Sequence, residues 1–159
     1  VKVSPFSKDD YAVHFTAAYT FSNYTFEEFN DGNFDYAGNE LTGIPSNTLQ
    51  TIIDFDYNIK DNIELYGNLQ YQYVDAMPIN DANTVYSERY QVTNSKLGLR
   101  ISFNSVFLNF YGSVNNIFDE RYASMLAVNA RSFGGTAPRY FYPGLPRHFF
   151  GGLSVRWNF

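Results

Sequence analysis

Few residues in this sequence invite a chemical reading. Asp31, Asn33 and Asp35 place oxygen ligands at alternate positions, as a calcium-binding loop begins. Such a loop needs Gly at its sixth position and a bidentate Glu at its twelfth. Those positions hold Tyr36 and Thr42, so solvated loop acids are the better reading. The two histidines, His14 and His148, are far apart in sequence. A metal or haem ligand is one reading of them, and a polar lining is the better one. Cysteine is absent, which removes disulfides and thiolate metal sites. No Ser-His-Asp spacing, phosphate loop or paired catalytic carboxylate stands out. Asp54/Asp56 and Glu27/Glu28 have ordinary lining or loop readings. The chain therefore reads as a non-enzyme with no cofactor and no metal site.

The stretch 123–146 gathers Met125, Arg131, Phe133, Arg139, Tyr140 and Tyr142. Arginine and tyrosine at this density suit an anionic, aromatic-bearing ligand through charge and cation–π contact. Arg131, Phe133, Arg139, Tyr140 and Tyr142 are the ligand-contact candidates. Ordered loops use the same residue types for packing and anchoring, and that plainer reading is the stronger one.

The elements that position these residues follow from composition. The 159 residues include 16 Phe and 14 Tyr, and aromatics make up 19%. Charged residues are only 17%, against roughly 25% in an ordinary soluble chain. Many strand formers and few charges point to β structure in an unusual solvent. No apolar run approaches the ~20 residues of a membrane helix, whereas a barrel strand needs only ~9–11 with every second one polar. The net charge of −5 and the lack of a basic block argue against nucleic acid. The chain opens at Val1 without a basic region and apolar stretch of a leader, so the natural N-terminus is expected upstream.

Alternation of period two marks six strands, at 10–19, 47–58, 62–76, 89–103, 106–122 and 147–159. The last is clearest: Phe149, Gly151, Leu153, Val155, Trp157 and Phe159 alternate with Phe150, Gly152, Ser154, Arg156 and Asn158. Tight turns at 58–61 and 104–105 alternate with long connections at 24–46, 77–88 and 123–146. Short turns on one side and long loops on the other are the topology of outer-membrane barrels. Tyr11, Tyr57, Phe103, Trp157 and Phe159 cluster at the short-turn end, as an interfacial girdle would. The competing reading is a soluble β-sandwich, whose strands usually run ~5–6 residues.

Three motifs carry a family resemblance. Asn115-Asn116-Ile117-Phe118-Asp119-Glu120-Arg121-Tyr122 resembles the N-[LI]-F-D-x-x-Y signature near the end of TonB-dependent receptors. Tyr140-Phe141-Tyr142-Pro143-Gly144-Leu145-Pro146-Arg147 resembles their final loop and approach to the last strand. Gly38-Asn39-Glu40-Leu41-Thr42-Gly43-Ile44-Pro45 is similar to the family's approach to an earlier strand. Order and spacing agree over residues 10–159.

The resemblance implies an all-β fold, an antiparallel transmembrane β-barrel of about 22 strands, the size at which a lumen needs a plug. Residues 1–159 would be its C-terminal portion, the last six strands, with no plug domain and no closure by this chain alone. The implied function is uptake of a scarce solute such as a ferric siderophore across the bacterial outer membrane. TonB would engage only through an N-terminal region that lies elsewhere. The implied partners are outer-membrane lipid, the barrel-assembly machinery and a small-molecule or metal-chelate ligand. Phe159, Trp157, Val155 and Leu153 match the terminal pattern that the assembly machinery reads, although Ser154 stands where Gly is usual. The same residues also suit plain lipid contact. A passive porin or structural barrel element and a soluble β-sheet binding domain remain the alternatives.

Overall fold

Alternation sustained over ten or more residues suits a strand with two unlike faces, since successive side chains point oppositely. A computed structural model describes residues 1–8, 10–132 and 134–158, with backbone alone at 2 and 4–8. Its strands are β1 (Lys2–Lys8), β2 (Tyr11–Phe21), β3 (Asn30–Asp31), β4 (Phe34–Asp35), β5 (Asn47–Lys60) and β6 (Ile63–Val74). They continue as β7 (Tyr90–Phe103), β8 (Val106–Asn115), β9 (Ala123–Leu126), β10 (Phe141–Pro143) and β11 (His148–Trp157). No helix occurs among the described residues.

The six long strands form one antiparallel meander with β1 at its edge, in the order β1-β2-β5-β6-β7-β8-β11. β3–β4 and β9–β10 are separate two-stranded hairpins within the long connections. The sheet is open, with β1 and β11 as its edges.

The six expected strands match the six long ones, with instructive differences. Segment 1–9, in which no strand was expected, contains β1. The strand expected over 106–122 stops at Asn115. Asn116 and Asp119 adopt φ of 51° and 56°, a left-handed conformation that turns the chain out of a ladder. The strand expected over 62–76 ends at Val74, where Asp75 turns to bind Asn47. The first extends to Phe21, and β5 extends to Lys60 through a bulge between Asn58 and Lys60.

Register gathers the alternating residues into two faces. Tyr11, Tyr57, Leu65, Leu99, Phe110 and Leu153 lie abreast across six strands. Ile63, Ile101, Leu108 and Val155 form a parallel row. The opposite face carries His14, Asp54, Asn68, Lys96, Ser113 and Phe150 in one row. Glu64, Arg100, Asn109 and Ser154 form another. A slip of one residue at any pairing would interchange the faces of every later strand.

Glycines let rings lie flat on this sheet. The Tyr66 ring covers Gly98, where a Cβ would fall 2.3 Å from it, and the Tyr111 ring covers Gly152. Each ring fills the space that the glycine on the adjoining strand leaves.

The apolar face is not a buried core. Phe103, Phe149 and Trp157 are each about two-thirds exposed or more. Among the described residues, the buried apolar side chains Val74, Pro78, Ile79 and Val92 sit at the end of the sheet away from the tight turns. Val74 and Val92 share the polar face's parity, and the long connections close over them there.

Candidate functional site

Connections 22–46, 75–89 and 116–147 meet at that end, and the middle one is the hub. Pro78 and Ile79 are its fully buried residues. Gly43 N donates to Pro78 O at 2.8 Å, and Asn129 N donates to Ile79 O at 2.9 Å. Both outer connections therefore bond to the same two-residue stretch. Gly43 takes φ of 81° to do so, a conformation that a side chain resists.

Asp81 reinforces the junction. Its carboxylate accepts from Thr42 Oγ1 and from Asn129 Nδ2, the latter at 2.9 Å. Asn39 Nδ2 donates to Asp81 O at 2.7 Å. Glu40 N donates to Asn83 Oδ1 at 2.7 Å, and Asn83 Nδ2 donates back to Glu40 O at 3.0 Å. The motif at 38–45 is thus a clasp strip whose polar side chains and amides grip the middle connection.

A second clasp joins β7, β8 and the start of β11. Asn116 is 2% exposed, and a buried amide needs every partner it can find. Its Oδ1 accepts from Glu120 N at 2.8 Å, and its Nδ2 donates to Glu120 O and Leu145 O. Its own N–H donates to Asn94 Oδ1 at 2.8 Å. Asp119 Oδ1 accepts from Arg147 N at 2.8 Å, and the Arg147 guanidinium reaches Ile117 O. The motif residues at 116–122 and 144–147 therefore tie the last two long strands together.

Two groups in the middle connection titrate away from their ordinary values. Asp75 lies just beyond β6. Donation from Asn47 holds its carboxyl below the usual range, helped by Tyr73, Ala76 N–H and the charge of Arg89, against partial desolvation. Desolvation raises the Tyr86 phenol, and the Glu40 carboxylate that it donates to adds to the rise.

Between the connections lies an open cleft of about 540 Å³. Tyr86, Glu88 and Tyr90 form one wall; Arg121, Tyr122 and Phe141 form the other. Tyr90 stands opposite Val74 in the register, so the cleft opens on the polar face's side of the sheet. The Tyr90 and Tyr122 rings pack with centroids 5.1 Å apart and planes tilted by 31°. Tyr122 lies over Gly144, where a Cβ would fall 2.3 Å from its ring. Tyr86 is fixed by donating to Glu40 Oε2 at 3.2 Å. Glu88 and Arg121 are exposed and have no side-chain partner among the described residues. Volume and lining match a small-molecule site, a mostly apolar hollow with a few polar groups.

Further along the polar face runs a charged network. Arg100 Nη1 meets Glu64 Oε1 at 2.6 Å and Asp56 Oδ1 at 3.4 Å. Its guanidinium also lies 3.9 Å from the Tyr66 ring centroid, and Tyr66 Oη donates to Asn109 Oδ1 at 2.8 Å. Lys96 Nζ sits 4.4 Å from the centroid of Tyr111. These charges are partly exposed, so each ion pair contributes at most about 1 kcal/mol.

The candidates from sequence do not converge on the cleft. Arg131, Arg139 and Tyr142 are exposed on the last connection, and none of them lines it. Tyr140 is half-buried, packed edge-on to Phe141 at 6.3 Å. Phe133 and Phe159 lie outside the described residues. Leu153, Val155 and Trp157 are exposed on the apolar face of β11. His14 and His148 sit on β2 and β11, with four strands between them. His148 contacts Asn115 Nδ2 and Pro146 O. Asp31 and Asp35 lie on the β3–β4 hairpin, where Asp35 accepts from Ala37 N.

Sequence reasoning missed Tyr86, Glu88 and Tyr90 as site residues, and met Arg121, Tyr122 and Phe141 only as members of the family motifs. The only local signal was two tyrosines flanking a Glu just before a strand, and nothing in it pointed to residues 121–141. Scanned against models of known protein families, the chain matches none.

Proposed function

We propose that this chain is part of the wall of an outer-membrane uptake receptor of the TonB-dependent type. Its long connections would face the exterior and its tight turns the periplasm. One observation carries the reading: six strands of ten to fourteen residues align most of their alternating apolar positions on one face, much of it exposed. Charged and polar residues paired across the sheet, His14–Asp54, Asn68–Lys96 and Glu64–Arg100 among them, lie on the other face. A barrel wall needs this division, with lipid on one side and an aqueous lumen on the other. A soluble sandwich would cover the apolar face with a second layer.

The resemblance supplies the finer reading, energised uptake of a scarce solute with a ferric siderophore as the first expectation. The motif residues support it indirectly. They are the clasps that order the solute-facing end, so their spacing has a structural reason to be kept.

The test is genetic. The gene encoding this chain is interrupted, and cells are assayed for accumulation of ferric chelates and other scarce solutes, with and without a protonophore. Loss of one energised uptake activity is the expected result. Loss of an uptake that survives collapse of the proton gradient would indicate a passive porin. No change in any outer-membrane permeation would sink the proposal.

A further inference from the structure

The cleft between Tyr86, Glu88, Tyr90 and Arg121, Tyr122, Phe141 has a ligand chemistry of its own. Its walls are aromatic, and Tyr86 and Phe141 are about half exposed, so both remain open to a solute. The walls are braced where they meet, because Tyr122 packs between Tyr90 and Gly144. A preformed wall spares a ligand the cost of ordering it.

The charges decide the ligand class. Glu88 offers a carboxylate, which accepts only, and Arg121 a guanidinium, which donates only. The two form no ion pair with each other or with another described side chain. Together they add no net charge to the cleft. An anionic ferric complex would gain from Arg121 and lose to Glu88, and a cation the reverse. A neutral solute whose groups both donate and accept gains from both. Hydroxyls have that property, and aromatic walls call for a flat, apolar ring face.

We propose that this cleft binds a neutral, hydroxyl-bearing ring, a small saccharide or glycoside. A ring face would pack on Tyr86 or Phe141, with hydroxyls shared between Glu88 and Arg121. The inference rests on the reading of the loop end as the solute-facing side, and it gives that side a substrate class other than the ferric chelate suggested by resemblance.

The test uses the natural full-length protein, purified in detergent and titrated calorimetrically with maltose, cellobiose and N-acetylglucosamine. Ferric catecholate and hydroxamate chelates and free tyrosine complete the panel. The expected result is saturable binding of at least one sugar that changes little with salt. Glu88→Gln, Arg121→Gln and Phe141→Ala should each weaken it by about tenfold or more. Glu27→Gln, exposed on the first connection and outside the cleft, should leave it unchanged and serves as the folding control. Three results would overturn the assignment: no sugar bound, binding confined to chelates or tyrosine, or sugar binding indifferent to the cleft variants. Energised chelate uptake without sugar binding would overturn this inference and leave the receptor reading standing. Sugar binding by a protein with no energised uptake would do the opposite.

Discussion

Asp81 and Asn129, 48 positions apart, face each other through a two-bond exchange. Asn129 Nδ2 donates to Asp81 Oδ2 at 2.9 Å, while Asp81 N donates to Asn129 Oδ1 at 3.1 Å. The pair closes a junction that Thr42 and Asn39 complete from the first connection. Three segments that would otherwise be separate loops thereby form one ordered rim.

Replacing Asp81 with Ala should loosen that rim without unfolding the sheet. The carboxylate's two bonds are worth about 1 kcal/mol each, more where charge assists. Proteolytic cleavage within 130–140 should accelerate by roughly tenfold or more, since it follows local opening rather than global unfolding. Cleavage at the wild-type rate would show that the junction does not hold the connections together.

Asp75 predicts an acid-sensitive step in the same region. Its folded-state carboxyl is lowered, chiefly by Asn47. Its contribution is therefore fully present above the unfolded value of about 3.9, and is lost as pH falls through the lower folded value. Amide exchange at 75–89 should rise across that acidic window in the wild type. In Asp75→Asn the step should vanish. An identical acid profile in the two proteins would refute the assignment.

Gly98 must lack a side chain because Tyr66 occupies its space. Gly98→Ala should destabilise by about 1–3 kcal/mol through overpacking. Tyr66→Ala should largely remove that penalty, so the double-mutant cycle should show strong coupling. Additive effects of the two substitutions would mean that the ring moves aside freely.

The two faces should answer differently to charge. Leu99→Arg, in the middle of the apolar row, should cost about 2–4 kcal/mol for folding into lipid vesicles. Asn68→Arg, on the polar face, should cost far less. Equal penalties, or folding indifferent to lipid, would argue against a membrane on the apolar side.

The strands were legible in the sequence because their signal is local and has period two. Leu153, Val155 and Trp157 reveal their shared face by their spacing alone. The end of β8 was not legible in the same way: Asn116 and Asp119 adopt left-handed backbone where their side chains bond to Glu120, Leu145 and Arg147. β1 was missed because its pattern is interrupted; a bulge between Val3 and Phe6 shifts its register against β2.

The ligand candidates show the same divide. Arg131, Arg139 and Tyr142 drew attention because arginine and tyrosine are dense in one stretch, yet they are spread over the surface. The cleft draws Tyr86 and Glu88 from one connection, Tyr90 from the start of β7, and Arg121, Tyr122 and Phe141 from another connection.

By itself, then, the sequence determined the all-β class, the strand sites and the two unlike faces, because alternation along one chain segment is enough to define a face. Only the tertiary structure decided which connections touch, that the quoted motifs are clasps, and where the hollow lies. Those depend on hydrogen bonds between residues some 30 to 50 positions apart, such as Asn116 to Leu145 and Asn129 to Asp81, whose partners no local pattern names.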